Sequence, residues 1–347
     1  QDRASQVLAK AGKSIVPGLI AGLKSASAPT REHSAQILGL LGEDAREAIP
    51  ALIVALGDKV APVRGAAATG LGDIGPAAKE AVPPLIGLLQ DDDESVRQQA
   101  ARGLGGIGPD AKEAVPALID LLKNSPADSQ EAAAEALGDI GTDALPAGPV
   151  MLDLLKKAKE PELRGALLKA MGAMGFKEPA AVTAMIGGLR HKVDEVREAA
   201  AMALGKLGPA AKTAVKPLIV VLKDKAEEVR LAAAEALGEM GADAKDAVPA
   251  LIVALKDKSA DVRAAAATSL GNTGAAAQAA VPGLAAALKD KSPDVRDSAL
   301  IALGMLGPVA KEAIPAIQEL AKASTEESVR EAAADTLMKI EGKQQKR

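Results

Sequence analysis

The 347-residue chain has no cysteine, no tryptophan and no tyrosine, and its one phenylalanine stands at Phe176. Without cysteine there are no disulfides, thiolate metal ligands or cysteine nucleophiles, and redox conditions leave the chain unaffected. Without aromatic rings it has almost nothing on which to stack bases or sugars. Two of the three residue types that most often anchor protein interfaces are also missing. Neither sign of charge dominates: 42 basic and 46 acidic residues are interspersed, for a net charge of −4. That balance argues against non-specific nucleic-acid binding. No apolar run approaches the roughly 18–20 residues needed to span a bilayer, so membrane insertion is not expected. The chain reads as soluble, with the cytoplasm as default compartment. It opens on Gln1 and not on methionine, which leaves secretion, a cell-surface location and excision from a longer chain open.

What is present is a repeat. A Val-Arg pair recurs at Val63-Arg64, Val96-Arg97, Val196-Arg197, Val229-Arg230, Val262-Arg263, Val295-Arg296 and Val329-Arg330. Degenerate copies stand at Thr30-Arg31, Ser129-Gln130 and Leu163-Arg164, and the spacing is 33 residues seven times and 34 twice. A fixed period of this size marks a stack of small units, each unable to bury its own apolar surface.

Residues 241–274 show one unit clearly. Val248 to Leu255 carries apolar residues at helical spacing, Lys256 to Ser259 is a polar turn, and Val262 to Leu270 forms a second helix. Asp261 sits where an N-cap or first-turn acid belongs, and Gly274 closes the helix. Each unit is thus an antiparallel helix pair, A then B. Proline recurs in the A helix at Pro17, Pro50, Pro83, Pro116, Pro149, Pro249, Pro282 and Pro315, as a first-turn residue or a kink. Glycine recurs inside the B helix at Gly39, Gly72, Gly105, Gly138, Gly172, Gly205, Gly238, Gly271 and Gly304. Each costs about 1 kcal/mol relative to alanine, so close approach of a neighbouring helix is expected. The tenth unit carries Met338 at the glycine position and Gln318 where earlier A helices mostly carry isoleucine, which reads as a cap. At the other end, Ala4 to Gly12 aligns with the end of a B helix that has no A helix before it. It is either an economical cap or the start of a truncated solenoid.

The pattern G-P-A-A-K-E-A-V-P-x-L-I … D-x-x-x-x-V-R-x-x-A-A-x-A-L-G resembles HEAT repeats, closest to the short bacterial variety also seen in phycobilin-lyase-like proteins. The resemblance covers essentially the whole chain. It implies an all-α fold: a right-handed α-solenoid of antiparallel helix pairs with B helices lining the concave face. Residues 1–347 then form a single solenoid, with a stray helix at 1–12, ten units over about 13–342 and a polar tail at 343–347. It also implies an Asp–Arg ladder between neighbouring units, matched by Asp58 with Arg64, Asp91 with Arg97, Asp224 with Arg230, Asp257 with Arg263 and Asp290 with Arg296. Ser25, Asn124, Ala158, His191 and Ser324 depart from that pattern, so the ladder is expected to break in units 1, 4, 5, 6 and 10.

Catalytic versions of such repeats need residues this chain lacks. His33 and His191 lie nearly five units apart, too far to share a metal, and neither stands in a His-Glu step. No serine has a nearby histidine to activate it. Gly103-Leu104-Gly105-Gly106-Ile107-Gly108 looks like a phosphate loop but falls at the end of a B helix, where packing explains it better. No enzyme activity, cofactor or metal is expected. The stretch from Val150 to Lys192 breaks the pattern, carrying Met151, Met171, Met174, Met185 and Phe176 with eight basic and four acidic residues. It is either a repacked joint or an adaptable Met-lined surface, and the joint is preferred.

Positions one and five after each ladder arginine are expected to face outward on the B helices. Glu131, Glu135 and Asp139 form one acidic stripe and Glu235 with Glu239 another, near the apolar Met202, Leu231, Ile301 and Met305. Apolar anchors ringed by acids suit a basic, partly hydrophobic protein segment. The expected function is therefore a non-enzymatic scaffold or adaptor that binds a protein or peptide along the concave face. A structural protein joined end to end through the N-terminal helix is the alternative, and a tetrapyrrole lyase-like chaperone a more distant one.

Overall fold

The computed structural model describes residues 12–342, and the chain divides into two compact units, residues 1–176 and 177–347. Among the described residues there are helices and turns but no strand. In the first unit α1 (Val16–Gly22) pairs with α2 (Ala28–Leu40), α3 (Ile49–Ala55) with α4 (Ala61–Ile74), and α5 (Val82–Leu88) with α6 (Glu94–Ile107). Next come α7 (Val115–Asn124) with α8 (Ala127–Ile140) and α9 (Gly148–Lys157) with α10 (Pro161–Ala173). In the second unit α11 (Pro179–Gly188) pairs with α12 (Asp194–Leu207), α13 (Val215–Val221) with α14 (Glu227–Glu239), and α15 (Val248–Ala254) with α16 (Ala260–Asn272). The last pairs are α17 (Val281–Ala287) with α18 (Pro293–Leu306) and α19 (Ile314–Ala323) with α20 (Glu327–Glu341). Odd helices are the A type and even helices the B type, and the fold is the all-α solenoid of helix pairs expected from the repeat. The anticipated stray helix lies outside the described residues apart from Gly12, as does the tail at 343–347.

Local chemistry sets the boundaries. Proline occupies the first turn of most A helices, where its missing N–H costs nothing. The B helices end at glycines with positive φ, such as Gly75 at 81° and Gly274 at 69°. The stretch that leads into each A helix is in most repeats a separate seven-residue 3-10 turn. In Gly241–Ala247 the chain kinks at Ala244 (φ −89°, ψ 16°) before Val248 begins the A helix. The turn's two alanines, Ala244 and Ala247, are fully buried, as are Ala78 and Ala81 or Ala277 and Ala280 in other repeats. Within each unit successive turns pack on one another, so alanine is kept there by lack of space. Asp261 is a first-turn acid, and the cap is Ser259, whose hydroxyl accepts from the Val262 N–H. Residues 293–323 meet the length and hydropathy expected of a membrane span. In the fold they are α18, a 3-10 turn opening at Gly307 (φ 60°) and α19, not one straight helix.

Each B helix packs on the B helix of the next repeat within its unit, and the interior glycines permit it. A Cβ on Gly72 would come 2.7 Å from Gly103 Cα, and one on Gly205 3.0 Å from Ala236 Cα. The run at Gly103–Gly108 belongs to the same contact, since a Cβ on Gly106 would meet the Gly72 carbonyl oxygen at 2.5 Å. Gly304, which faces the tenth repeat, has 3.5 Å to its nearest neighbours, an ordinary contact. In that repeat Gln318 is exposed where the earlier isoleucines are half-buried.

The irregular middle is filled, not open. Met151, Met171, Met174 and Met185 are fully buried and Phe176 nearly so. The ring of Phe176 occupies the space above Gly148, where a Cβ would come 2.5 Å from Phe176 Cδ2. Other repeats carry valine or isoleucine at the position of Gly148, so the one aromatic ring and the one glycine there are a matched exchange. Each of these four methionines is packed inside its own unit, which rules out the Met-lined surface for them.

The Asp–Arg ladder exists, but its rungs connect different residues from those expected. Each aspartate binds the arginine of the preceding repeat. Arg31 meets Asp58, Arg64 meets Asp91, Arg197 meets Asp224, Arg230 meets Asp257 and Arg263 meets Asp290. In every rung Nε and Nη2 donate to the two carboxylate oxygens at 2.6–2.9 Å. The arginine of the same repeat reaches only the aspartate's backbone carbonyl, as Arg64 Nη1 does to Asp58 O at 2.8 Å. Arg31 and Arg197, whose own repeats lack the aspartate, are therefore paired after all, and among the described residues Arg97, Arg164, Arg296 and Arg330 lack such a partner. The same carboxylate also accepts from the N–H two residues on, Val60 for Asp58 and Ser259 for Asp257. Ser25, His191 and Ser324 keep that second bond with Oγ or Nδ1. The Arg–Asp bond is the main influence holding Asp58, Asp91 and Asp290 below the usual carboxylate range. At Asp224 and Asp257 burial pulls upward and is outweighed by the arginine and the turn N–H.

These contacts make two predictions about stability. Gly205→Ala should lower the urea midpoint, by about 1–3 kcal/mol of overpacking. Gly304→Ala has room and should raise the midpoint by up to about 1 kcal/mol of helix propensity; equal effects at both sites would contradict the packing account. Arg230→Met strands the Asp257 carboxylate, whose side chain is 13% exposed, and should cost about 3–5 kcal/mol at neutral pH. Because the folded aspartate is depressed, the rung's contribution is complete above the unfolded value near 3.8 and is lost as pH falls through the folded one. The gap between wild type and variant should therefore close in acid, as thermal melts from pH 7 to pH 2 would show.

Candidate functional site

The second unit carries a groove of about 740 Å³ on its B-helix face. Its floor is made of the small residues that let the helices approach: Gly205, Ala232, Ala236, Gly238, Ala265 and Ser269. The buried Ser269 hydroxyl is satisfied by the Ala234 carbonyl at 2.7 Å, so the floor presents little free polarity. Met202 from α12 and Leu231 from α14 form the apolar wall, with Ala264 and Thr268 of α16 opposite. Around this lie Glu235, Glu239, Asp261 and Asp294, against one cation, Lys206. Burial pushes the Glu235 carboxyl above the usual range, with Glu239 adding to the effect and Lys206 opposing it.

Of the residues singled out from sequence, the groove brings together Met202, Leu231, Glu235 and Glu239. Ile301 and Met305 lie on α18, 59% and 49% exposed, and do not line it. Met305 leans toward α16, its sulfur 3.2 Å from where a Cβ on Gly271 would stand. Glu131 and Glu135 are on α8, in the first unit. The Glu131 carboxyl is raised by burial and by Glu135, and the Asp139 carboxyl likewise. The expected outward rows behave differently from one another. Position five after the arginine is exposed in most repeats, whereas position one is mostly half-buried and Gly65 is buried. Sequence reasoning missed Asp294, Ser298, Asn272 and Lys206 as groove residues, and treated Asp261 only as a helix-start acid. Nothing in the repeat pattern marks them, because they come from three different helices. Val54, Val220 and Val253, 66–78% exposed on equivalent turns of α3, α13 and α15, were also not singled out.

Among the described residues no three of His, Cys, Asp and Glu are grouped as metal ligands would be. His33 Nδ1 lies 2.6 Å from the Pro29 carbonyl, and His191 Nδ1 accepts from Val193 N–H.

In sequence, the chain matches HEAT repeats over residues 16–97, 82–147, 148–219, 215–304 and 281–346. The chain belongs to the HEAT-repeat family. Its fold is similar to that of an engineered protein, 24% identical over 94% of this chain and 98% of that one, with a TM-score of 0.57. It is also similar to Kap121p bound to Pho4p (16% identity, 95% and 46% coverage, TM-score 0.55). Importin beta gives 17% identity, 97% and 53% coverage and a TM-score of 0.53. This HEAT-repeat chain spans about half the length of each of the last two, and at these identities the likeness shows the fold alone. No curated protein matches it in sequence.

The groove's electrostatics give a third prediction. A carboxyl raised on folding stabilises most at low pH, and that contribution is lost as pH rises through the folded pKa. Glu235→Gln removes the penalty, so the variant should be more stable than wild type at pH 7 and equal to it at pH 3. A variant less stable at both values would mean that Glu235 holds a structural contact.

Proposed function

We propose that this HEAT-repeat protein is a non-enzymatic scaffold or adaptor whose second unit binds a basic, partly apolar segment of a partner protein. The observation that carries the reading is the pairing of an apolar wall, Met202 and Leu231, with four carboxylates against one ammonium in a single groove. A lysine or arginine side chain laid along such a groove places its methylenes on the wall and its charge among the acids. The small-residue floor leaves depth for a peptide backbone. The Glu235 carboxyl, held up by burial and by Glu239, is relieved when a cation arrives. HEAT-type neighbours support the general role, since Kap121p has been captured with Pho4p and with the SUMO protease Ulp1p. Ile301 and Met305 extend the apolar surface beside the groove, and a longer segment would reach them.

Fluorescence anisotropy with a labelled peptide of alternating Lys and Leu tests the proposal, with a Glu-for-Lys peptide as control. The basic peptide should bind saturably and weaken steeply with salt. Glu235→Gln with Glu239→Gln, or Met202→Lys with Leu231→Lys, should weaken it at least about tenfold, or about 1.4 kcal/mol, with helicity unchanged. Equal binding of the two peptides, or variants indistinguishable from wild type, would remove the groove from consideration.

A further inference from the structure

We propose that Arg97 binds a carboxylate supplied by another molecule, in the place where five other arginines hold an aspartate of the next repeat. Arg97 is anchored as they are: its Nη1 donates to the Asp91 and Asp92 carbonyls at 2.7 and 3.2 Å. That fixes the guanidinium and aims the Nε–Nη2 edge, which in the rungs takes both oxygens of a carboxylate. Here the next repeat offers Asn124, and the amide Nδ2 is turned back along its own helix to Asp120 Oδ1 at 2.8 Å. The turn bond that orients the aspartate in the rungs is also unavailable, because the residue two positions on is Pro126, which has no N–H. Among the described residues no carboxylate hydrogen-bonds the Nε or Nη2 of Arg97. The result is a cavity of about 400 Å³ between the third and fourth repeats, bounded by Arg97, Asp120, Leu121, Asn124, Ser125 and Pro126 among others.

The chemistry selects one ligand class. A fixed guanidinium edge matches a planar carboxylate in two parallel hydrogen bonds. Asp92 and Asp120 stand on the rim, so a dianion or a polyanion is repelled where a single carboxylate is accepted. Buried Leu121 gives the carbon chain behind that carboxylate an apolar contact. The ligand is therefore a monocarboxylate, either an Asp or Glu side chain of an extended polypeptide or a small free acid. This site is independent of the groove in the second unit.

Nitrogen-15 labelling of arginine allows the Arg97 Nε–Hε resonance to be followed directly. Added acetate should shift it saturably, while chloride and inorganic phosphate should not, and Arg230, whose Nε and Nη2 are already taken by Asp257, serves as the internal control. Asn124→Asp with Pro126→Ala restores both halves of the rung, so it should raise the melting temperature and abolish the acetate response. An end-capped peptide with one Asp that binds at least about tenfold tighter than acetate identifies a polypeptide source; affinity equal to acetate identifies a small acid. The proposal is overturned if Arg97 does not respond, if Arg230 or phosphate gives the same response, or if the double variant still responds. Should the double variant fail to fold, Arg97→Lys keeps the charge without the planar fork. Retention of an acetate-dependent thermal shift in that variant would overturn the proposal equally.

Discussion

The close approach of successive B helices is the constraint on which the rest of this structure depends. A pair of short helices leaves most of its apolar surface uncovered, and only the next pair can cover it. Here the covering contact is so tight that a single methyl group would collide with the neighbouring backbone at Gly72 or Gly106. Glycine weakens each helix by about 1 kcal/mol, yet it admits dispersion contact along whole helix faces. The composition reflects this geometry. Cores filled by Ala, Leu, Val and Ile leave no room for rings, and the one ring present required a glycine opposite it at Gly148.

The Arg–Asp rungs sit on top of that packing and depend on it. Helices held at a constant spacing bring the arginine of one repeat and the aspartate of the next to a bidentate fit five times over. The pairs are largely screened from solvent, so each is costly to break from one side, while its net contribution to stability is smaller than its geometry implies. What the rungs supply more securely is register. The aspartate is fixed by its own turn N–H, the arginine by the carbonyls of its own repeat, and only the correct stacking joins them. Ser25, His191 and Ser324 show that the turn bond persists even where the rung does not form.

Most of the fold was legible because the constraint repeats. Helix pairs, closing glycines, first-turn prolines and the packing role of interior glycine all recur at a fixed period, and periodicity is what a sequence displays best. The partners of the rungs were misread for a related reason. Within one repeat Asp58 and Arg64 are close in sequence, and nothing in a one-dimensional pattern says that the arginine reaches forward to Asp91. The 3-10 turns were hidden because Asp243 to Ala247 is as helix-compatible as the A helix that begins at Val248, and only stacking of the buried alanines decides the kink. The groove was half legible. Met202, Leu231, Glu235 and Glu239 stood out as departures from the repeat, but Asp294 and Asn272 join them only through the lateral spacing of four helices.

The same regularity that makes the frame uninformative about function makes its departures interpretable. At a position where five repeats place a carboxylate on a guanidinium, an asparagine with a proline two residues on removes both the charge and the turn that would aim it. At positions where the B-helix surface is free to vary, one unit gathers methionine and leucine with four acids. A rigid stack also holds each departure at a defined depth and orientation, so binding to it costs little ordering of the protein. For a chain without aromatic anchors, that preorganisation compensates for the missing large side chains. Affinity would have to come from charge held in fixed grooves between small residues, and the groove over α12 to α18 and the notch at Arg97 both have that character.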